Sequence, residues 1–191
     1  FANNSVELSA TGDIVITSTI TADGATSDLT ITADSDFDGV GGFWLNEGPS
    51  TTDAQLNAGL NIAIQGSNLL ATLAAGDGIR IDRDGDAQQV VAGGDLSLST
   101  TAGSGTSNSG DIVIEGRQTA DGSITISSNK STFLGADQTA VTEMLFQSAV
   151  RLTNDLTLTT GGDLTFAGTL DDDGSSASGS ALTIDAGEDV V

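Results

Sequence analysis

The sequence predicts an all-β chain wound as a parallel β-helix, a solenoid of short strands with about 20 residues per coil. Three observations carry that expectation: a strand-and-turn composition, apolar residues spaced two apart, and a strand–turn–strand unit that recurs along the chain. The 191 residues contain no Cys, His or Tyr and one each of Pro, Met and Trp, while Gly alone contributes 25. Gly, Ser, Thr, Asp and Ala separate brief runs of Ile, Leu and Val. β-Branched and aliphatic side chains suit a pleated, half-buried surface, and Gly and Asp supply the backbone angles of tight turns.

The first unit begins at Gly12-Asp13-Ile14-Val15-Ile16, turns through Asp23-Gly24 and closes on Leu29-Thr30-Ile31. In each strand the apolar positions alternate with polar or small ones, which places one face in a core and the other in water. Residues 34–53 break the pattern with Phe37, Phe43, Trp44 and Pro49 and read as a loop excursion, with Phe43 and Trp44 packed beneath it as a satellite core. Leu60-Asn61-Ile62-Ala63-Ile64, Ile79-Arg80-Ile81 and Gly94-Asp95-Leu96-Ser97-Leu98 resume the alternation. The unit returns at Gly110-Asp111-Ile112-Val113-Ile114, 98 residues after the first, and closes on Ile124-Thr125-Ile126. A third copy runs from Gly162-Asp163-Leu164-Thr165-Phe166 to Leu182-Thr183-Ile184.

Spacing is most regular near the end. Leu145-Phe146, Val150/Leu152, Leu156/Leu158 and Leu164/Phe166 follow at intervals of 6 to 8 residues, so three strands complete a coil. A uniform coil of that length predicts about eight or nine coils in a rod of about 40 Å. The best helical window, 136–150, fits equally well as short strands. The competing architecture is a tandem pair of immunoglobulin-like β-sandwiches, since 98 residues approximates one such domain. The third copy, 52 residues after the second, argues for a single continuous solenoid over 1–191. The chain opens on Phe and ends inside a repeat, which reads as a segment of a longer repetitive chain.

Composition also excludes function classes. Without Cys there is no disulfide framework or thiolate zinc site, and without His the commonest metal ligand and general base is missing. A formal charge of −22, with Arg80, Arg83, Arg117, Lys130 and Arg151 as the only bases, repels phosphate backbones and anionic membranes. Neither nucleic-acid binding nor membrane insertion is expected.

With its Gly-Asp-Ile-Val-Ile strands, Asp-Gly turns and the Leu-Thr-Ile-Asp-Ala-Gly stretch of 182–187, the chain resembles filamentous-haemagglutinin-like adhesins. More broadly it is similar to the giant β-strand-repeat surface proteins of Gram-negative and related bacteria. The resemblance implies a right-handed β-helix at the bacterial cell surface or secreted outside it, working as a non-catalytic structural or adhesive segment of a fibre or adhesin. Its implied partners are neighbouring repeats of the same chain, other copies of itself, or a ligand on a host or cell surface. It supplies no catalytic residues.

Two acidic clusters are the candidate sites, and no other cofactor is called for. Asp34, Asp36 and Asp38 stand in an Asp-x-Asp-x-Asp-Gly run, the opening of a calcium loop in which alternating carboxylates converge on one cation. The twelfth position, where an EF-hand carries a bidentate Glu, is Leu45, so the resemblance stops at the first half. Asp82, Asp84 and Asp86 form a second candidate calcium cluster, beside Arg80 and Arg83. The ordinary alternative is that Asp recurs because turns favour it. A calcium-dependent binding module is therefore the second functional expectation. A polysaccharide-degrading β-helix enzyme using the acidic and basic groups at 80–86 is the third.

Overall fold

A computed structural model describes residues 4–46, 54–67, 77–82, 88–101, 110–174 and 179–191. Among them every helical or extended segment is a strand: β1 (Val6–Ser9), β2 (Ile14–Ile16), β3 (Ile20–Ala22), β4 (Leu29–Thr32), β5 (Phe43–Leu45), β6 (Leu56–Ala58), β7 (Ile62–Gly66), β8 (Asp77–Ile81), β9 (Gln88–Ala92), β10 (Leu96–Thr100), β11 (Asp111–Ile114), β12 (Arg117–Ala120), β13 (Ile124–Ser127), β14 (Ser131–Leu134), β15 (Gln138–Ala140), β16 (Met144–Phe146), β17 (Ala149–Leu152), β18 (Leu156–Thr160), β19 (Leu164–Phe166), β20 (Leu170–Asp172) and β21 (Leu182–Ala186). Every third strand joins the same sheet. The first sheet runs β1-β4-β7-β10-β13-β16-β19, the second β2-β5-β8-β11-β14-β17-β20, and the third β3-β6-β9-β12-β15-β18-β21. All pairings within them are parallel.

This is a parallel β-helix, each coil passing once through all three sheets. Sandwiches need antiparallel pairing and are excluded. The window 136–150 is not helical but contributes β15, β16 and the start of β17. Coil length is 20 residues from Ile124 to Met144 and again from Met144 to Leu164, as the spacing predicts, but 34 from Ile62 to Leu96. Among the described residues each sheet accordingly has seven strands, fewer than a uniform coil of 20 would give. Hydrogen bonding fixes the strands while the corners accept insertions freely.

Of the segment expected to leave the rod, residues 47–53 lie outside the described residues, and within 34–46 the chain returns to the rod as a strand. Phe43–Leu45 is β5 of the second sheet, with Phe43 and Leu45 fully buried in the main core and Trp44 on the opposite, outward face. The satellite pairing of Phe43 with Trp44 is thereby corrected. Adjacent residues of a strand point to opposite sides and cannot pack as a pair.

Inward residues stack in register. The first sheet contributes Leu8-Ile31-Ile64-Leu98-Ile126-Phe146-Phe166, ending in a stacked ring pair with centroids 5.1 Å apart. The third contributes an alanine column, Ala22-Ala58-Ala92-Ala120-Ala140, where the chain is about to turn. Its second inward column is aliphatic except at Gln118 and Gln138, which replace Val90 and Leu158 of the neighbouring coils. Both are completely buried, and neither Nε2 nor Oε1 of the Gln118 side chain finds a hydrogen-bond partner among the described residues.

The recurrent Asp before each strand has a definite task. Asp95 Oδ1 accepts hydrogen bonds from Ser123 N (2.8 Å) and Ser123 Oγ (2.9 Å) of the next coil. Asp13 receives Gly42 N (3.0 Å), Asp155 receives Ala181 N (2.7 Å) and Asp163 receives Asp189 N (3.1 Å) in the same way. At one corner the staples run through successive coils: Asp28 N donates to Ser5 Oγ, Asn61 N to Asp28 Oδ1, and Asp95 N to Asn61 Oδ1. Much of the acidity is thus spent satisfying corner N–H groups that no strand pairing reaches.

Candidate functional site

The first cluster lies where the chain leaves β4. Asp34 has φ 54° and is 1 % exposed, and Gly41 packs so closely that a Cβ there would sit 2.8 Å from Asp34 N. Its carboxylate folds the loop back on itself: Asp38 N donates to Oδ1 at 3.0 Å and Gly39 N to Oδ2 at 3.1 Å. Phe37 (φ 56°) and Gly39 (φ 90°) complete the reversal. The turn brings one ligand oxygen each from Asp34, Asp36 and Asp38 within 4.8 Å of one another, the first buried and the other two exposed. Three hard oxygen donors at this separation suit calcium chemically. Each Asp34 oxygen keeps a lone pair after accepting its backbone N–H.

Of the second cluster only Asp82 is among the described residues; Asp84 and Asp86 lie outside them, as does Arg83. Asp82 Oδ2 accepts the indole Nε1–H of Trp44 at 2.6 Å, and Oδ1 accepts Arg80 Nε at 2.6 Å. Arg80 also reaches Glu115 Oε2 at 3.2 Å. Arg80, one of the two bases at this cluster, thus links two coils.

Each sheet presents a central outward column. The first sheet shows Glu7-Thr30-Ala63-Ser97-Thr125-Leu145-Thr165. The third shows Thr21-Asn57-Val91-Thr119-Thr139-Thr159-Asp185. Beside it, Arg117, Asp137, Thr139, Thr157 and Thr159 line an open groove of about 390 Å³, with Arg117 Nη2 3.5 Å from Asp137 Oδ2. The second sheet differs in kind: Val15-Trp44-Arg80-Val113-Phe133-Arg151-Asp171. Arg151 lies over the Phe133 ring, 6.0 Å from its centroid.

Sequence reasoning identifies the Asp34 turn but misses this third face. Trp44, Arg80, Phe133 and Arg151 are 18 or more residues apart along the chain, and only the stacking register aligns them. No family model, curated protein or solved structure matches the chain.

Proposed function

We propose that this chain is a non-catalytic stretch of a secreted or bacterial cell-surface fibre, a structural rod whose task is extension and, in the longer protein, adhesion. The observation that carries the reading is the stacking of three seven-stranded parallel sheets around one continuous core, with register shifts only at the β8–β11 and β9–β12 pairings. Each coil covers the apolar face of the one before, so length is added without a new core having to be designed. The Asp staples stiffen the corners, and the acidic exterior keeps such rods apart in solution. Adhesion and surface location draw support from the resemblance to filamentous-haemagglutinin-like adhesins.

Electron microscopy of tandem arrays of this segment tests the reading. The expected particle is a thin rod lengthening by about 4.8 Å per coil. A string of separate beads would refute it.

A second reading, calcium-dependent stabilisation, is favoured by the convergence of Asp34, Asp36 and Asp38. Calcium at 100 times its dissociation constant is expected to add about 2.7 kcal/mol to unfolding, seen as a raised melting temperature. Asp36→Asn with Asp38→Asn should abolish the rise while leaving the metal-free melt nearly unchanged, because both side chains are exposed. An unaltered melt of the parent chain at millimolar calcium rules this reading out.

A further inference from the structure

We infer that the second sheet's outward face is a self-association surface on which two copies of this chain pair antiparallel about a two-fold axis at Val113. The column reads, in order, Val15, Trp44, Arg80, Val113, Phe133, Arg151 and Asp171, with Val113 at the centre of seven. Rotation about that centre sets Trp44 against the other copy's Arg151 and Arg80 against its Phe133, with Val113, only 9 % exposed, as the floor of the seam between Arg80 and Phe133. Both aromatic rings of the column thereby meet a guanidinium, twice over by symmetry. The column is complementary to its own reverse, as an isologous interface requires.

The parallel arrangement fails on charge, since it would place Arg80 on Arg80 and Arg151 on Arg151. The other two faces offer nothing comparable: neither column carries an aromatic ring, and the cation on the third face, Arg117, is paired with Asp137 at 3.5 Å. Aromatic residues and Arg are the types enriched where proteins meet, and in a chain with five bases two of them stand in this one line. The side chains are already organised for contact. Trp44 is held through its Nε1 by Asp82, Arg80 is braced between Asp82 and Glu115, and Arg151 rests over Phe133.

Strength follows from size. Seven strands at about 4.8 Å, each about 13 Å long, present a face of about 400 Å² per partner, half that of a standard interface. Two such segments pair weakly, while rods with more coils in the same register gain by avidity. Each copy carries −22, so pairing is to be measured near 0.15 M salt, where the screening length is about 8 Å.

The chain has no Cys, which makes a crosslinking test direct. Val15→Cys and Asp171→Cys alter exposed positions at opposite ends of the column. An equimolar mixture, treated with a short thiol-reactive linker, is expected to give covalent dimers several-fold in excess of either variant alone. Adding Arg151→Glu to both chains should reduce that capture about tenfold, the guanidinium–indole contacts being lost at two symmetric places. Capture of either variant with itself at the level of the mixture, or no excess in the mixture, overturns the pairing. A monomeric outcome leaves the rod reading intact, because rod length in the microscope is read independently.

Discussion

Replacing Phe146 by Ala is expected to lower the unfolding free energy by about 3–5 kcal/mol, read as a shift in the denaturation midpoint of the isolated chain. Phe146 is fully buried in the first sheet's inward column and stacks on Phe166 with 7° between the rings. A cavity there cannot collapse. The distance between coils is set by backbone ladders on three sides, so neighbouring coils cannot close in as loosely tethered elements would. The loss is a large share of the roughly 5–15 kcal/mol that holds an ordinary domain together. Leu145→Ala, one residue earlier on the outward face, should cost less than about 1 kcal/mol. Equal losses at the two positions would mean that the inward and outward faces of β16 are wrongly assigned.

The second large effect is expected at Gly59. A Cβ on this residue would overlap the carbonyl oxygen of Gly24 in the coil before and come 2.6 Å from its carbonyl carbon. Both atoms are backbone. Gly93 stands in the same relation to the Gly59 carbonyl, so this corner is a stack of glycines in which coils touch main chain to main chain. Valine at 59 should cost about 3 kcal/mol or more, because only separation of the coils, at the expense of β3–β6 and β4–β7 pairing, makes room for it. Native-state hydrogen exchange is the informative readout. In a stack where each coil contacts only its neighbours, protection should fall in β3, β4 and β6 and persist in β15 to β18. Uniform loss along the chain would show a single cooperative unit instead.

Gly12 has open space where its Cβ would be, and at Gly174 a φ of 74° is the constraint, with no neighbour near. Glycines that look alike in the sequence thus differ in kind. Gly122 and Gly174 both follow Asp, yet a Cβ at Gly122 would meet Asp95 and Gly94 of the preceding coil while one at Gly174 would meet nothing, a difference the motif does not carry.

The fold itself was readable from local pattern. Alternation at Ile14/Ile16, Ile124/Ile126 and Leu156/Leu158 specified strands, because period two is a property of each strand alone. The converging carboxylates of Asp34, Asp36 and Asp38 were readable for the same reason: they belong to one tight turn. Glutamines 118 and 138 were not readable as core, because a polar side chain at an inward position breaks the alternation that signals burial. Phe43–Leu45 does not read as a strand because three residues flanked by irregular chain have too little length to show a period.

What the sequence determined by itself is that this protein is a coil of strands: alternation, Gly-Asp entries and Asp-Gly turns act over a few residues and need no partner to be recognised. What only the tertiary structure decided is which face each strand occupies. The units beginning at Gly12 and Gly110 place their first strands, β2 and β11, in the second sheet, yet the same motif at Gly162 places β19 in the first. The three corners make similar local demands, and an insertion at any corner postpones the next strand without altering its pattern. Facing is therefore set by accumulated register between coils, and the line of Trp44, Arg80, Phe133 and Arg151 exists only once that register is closed.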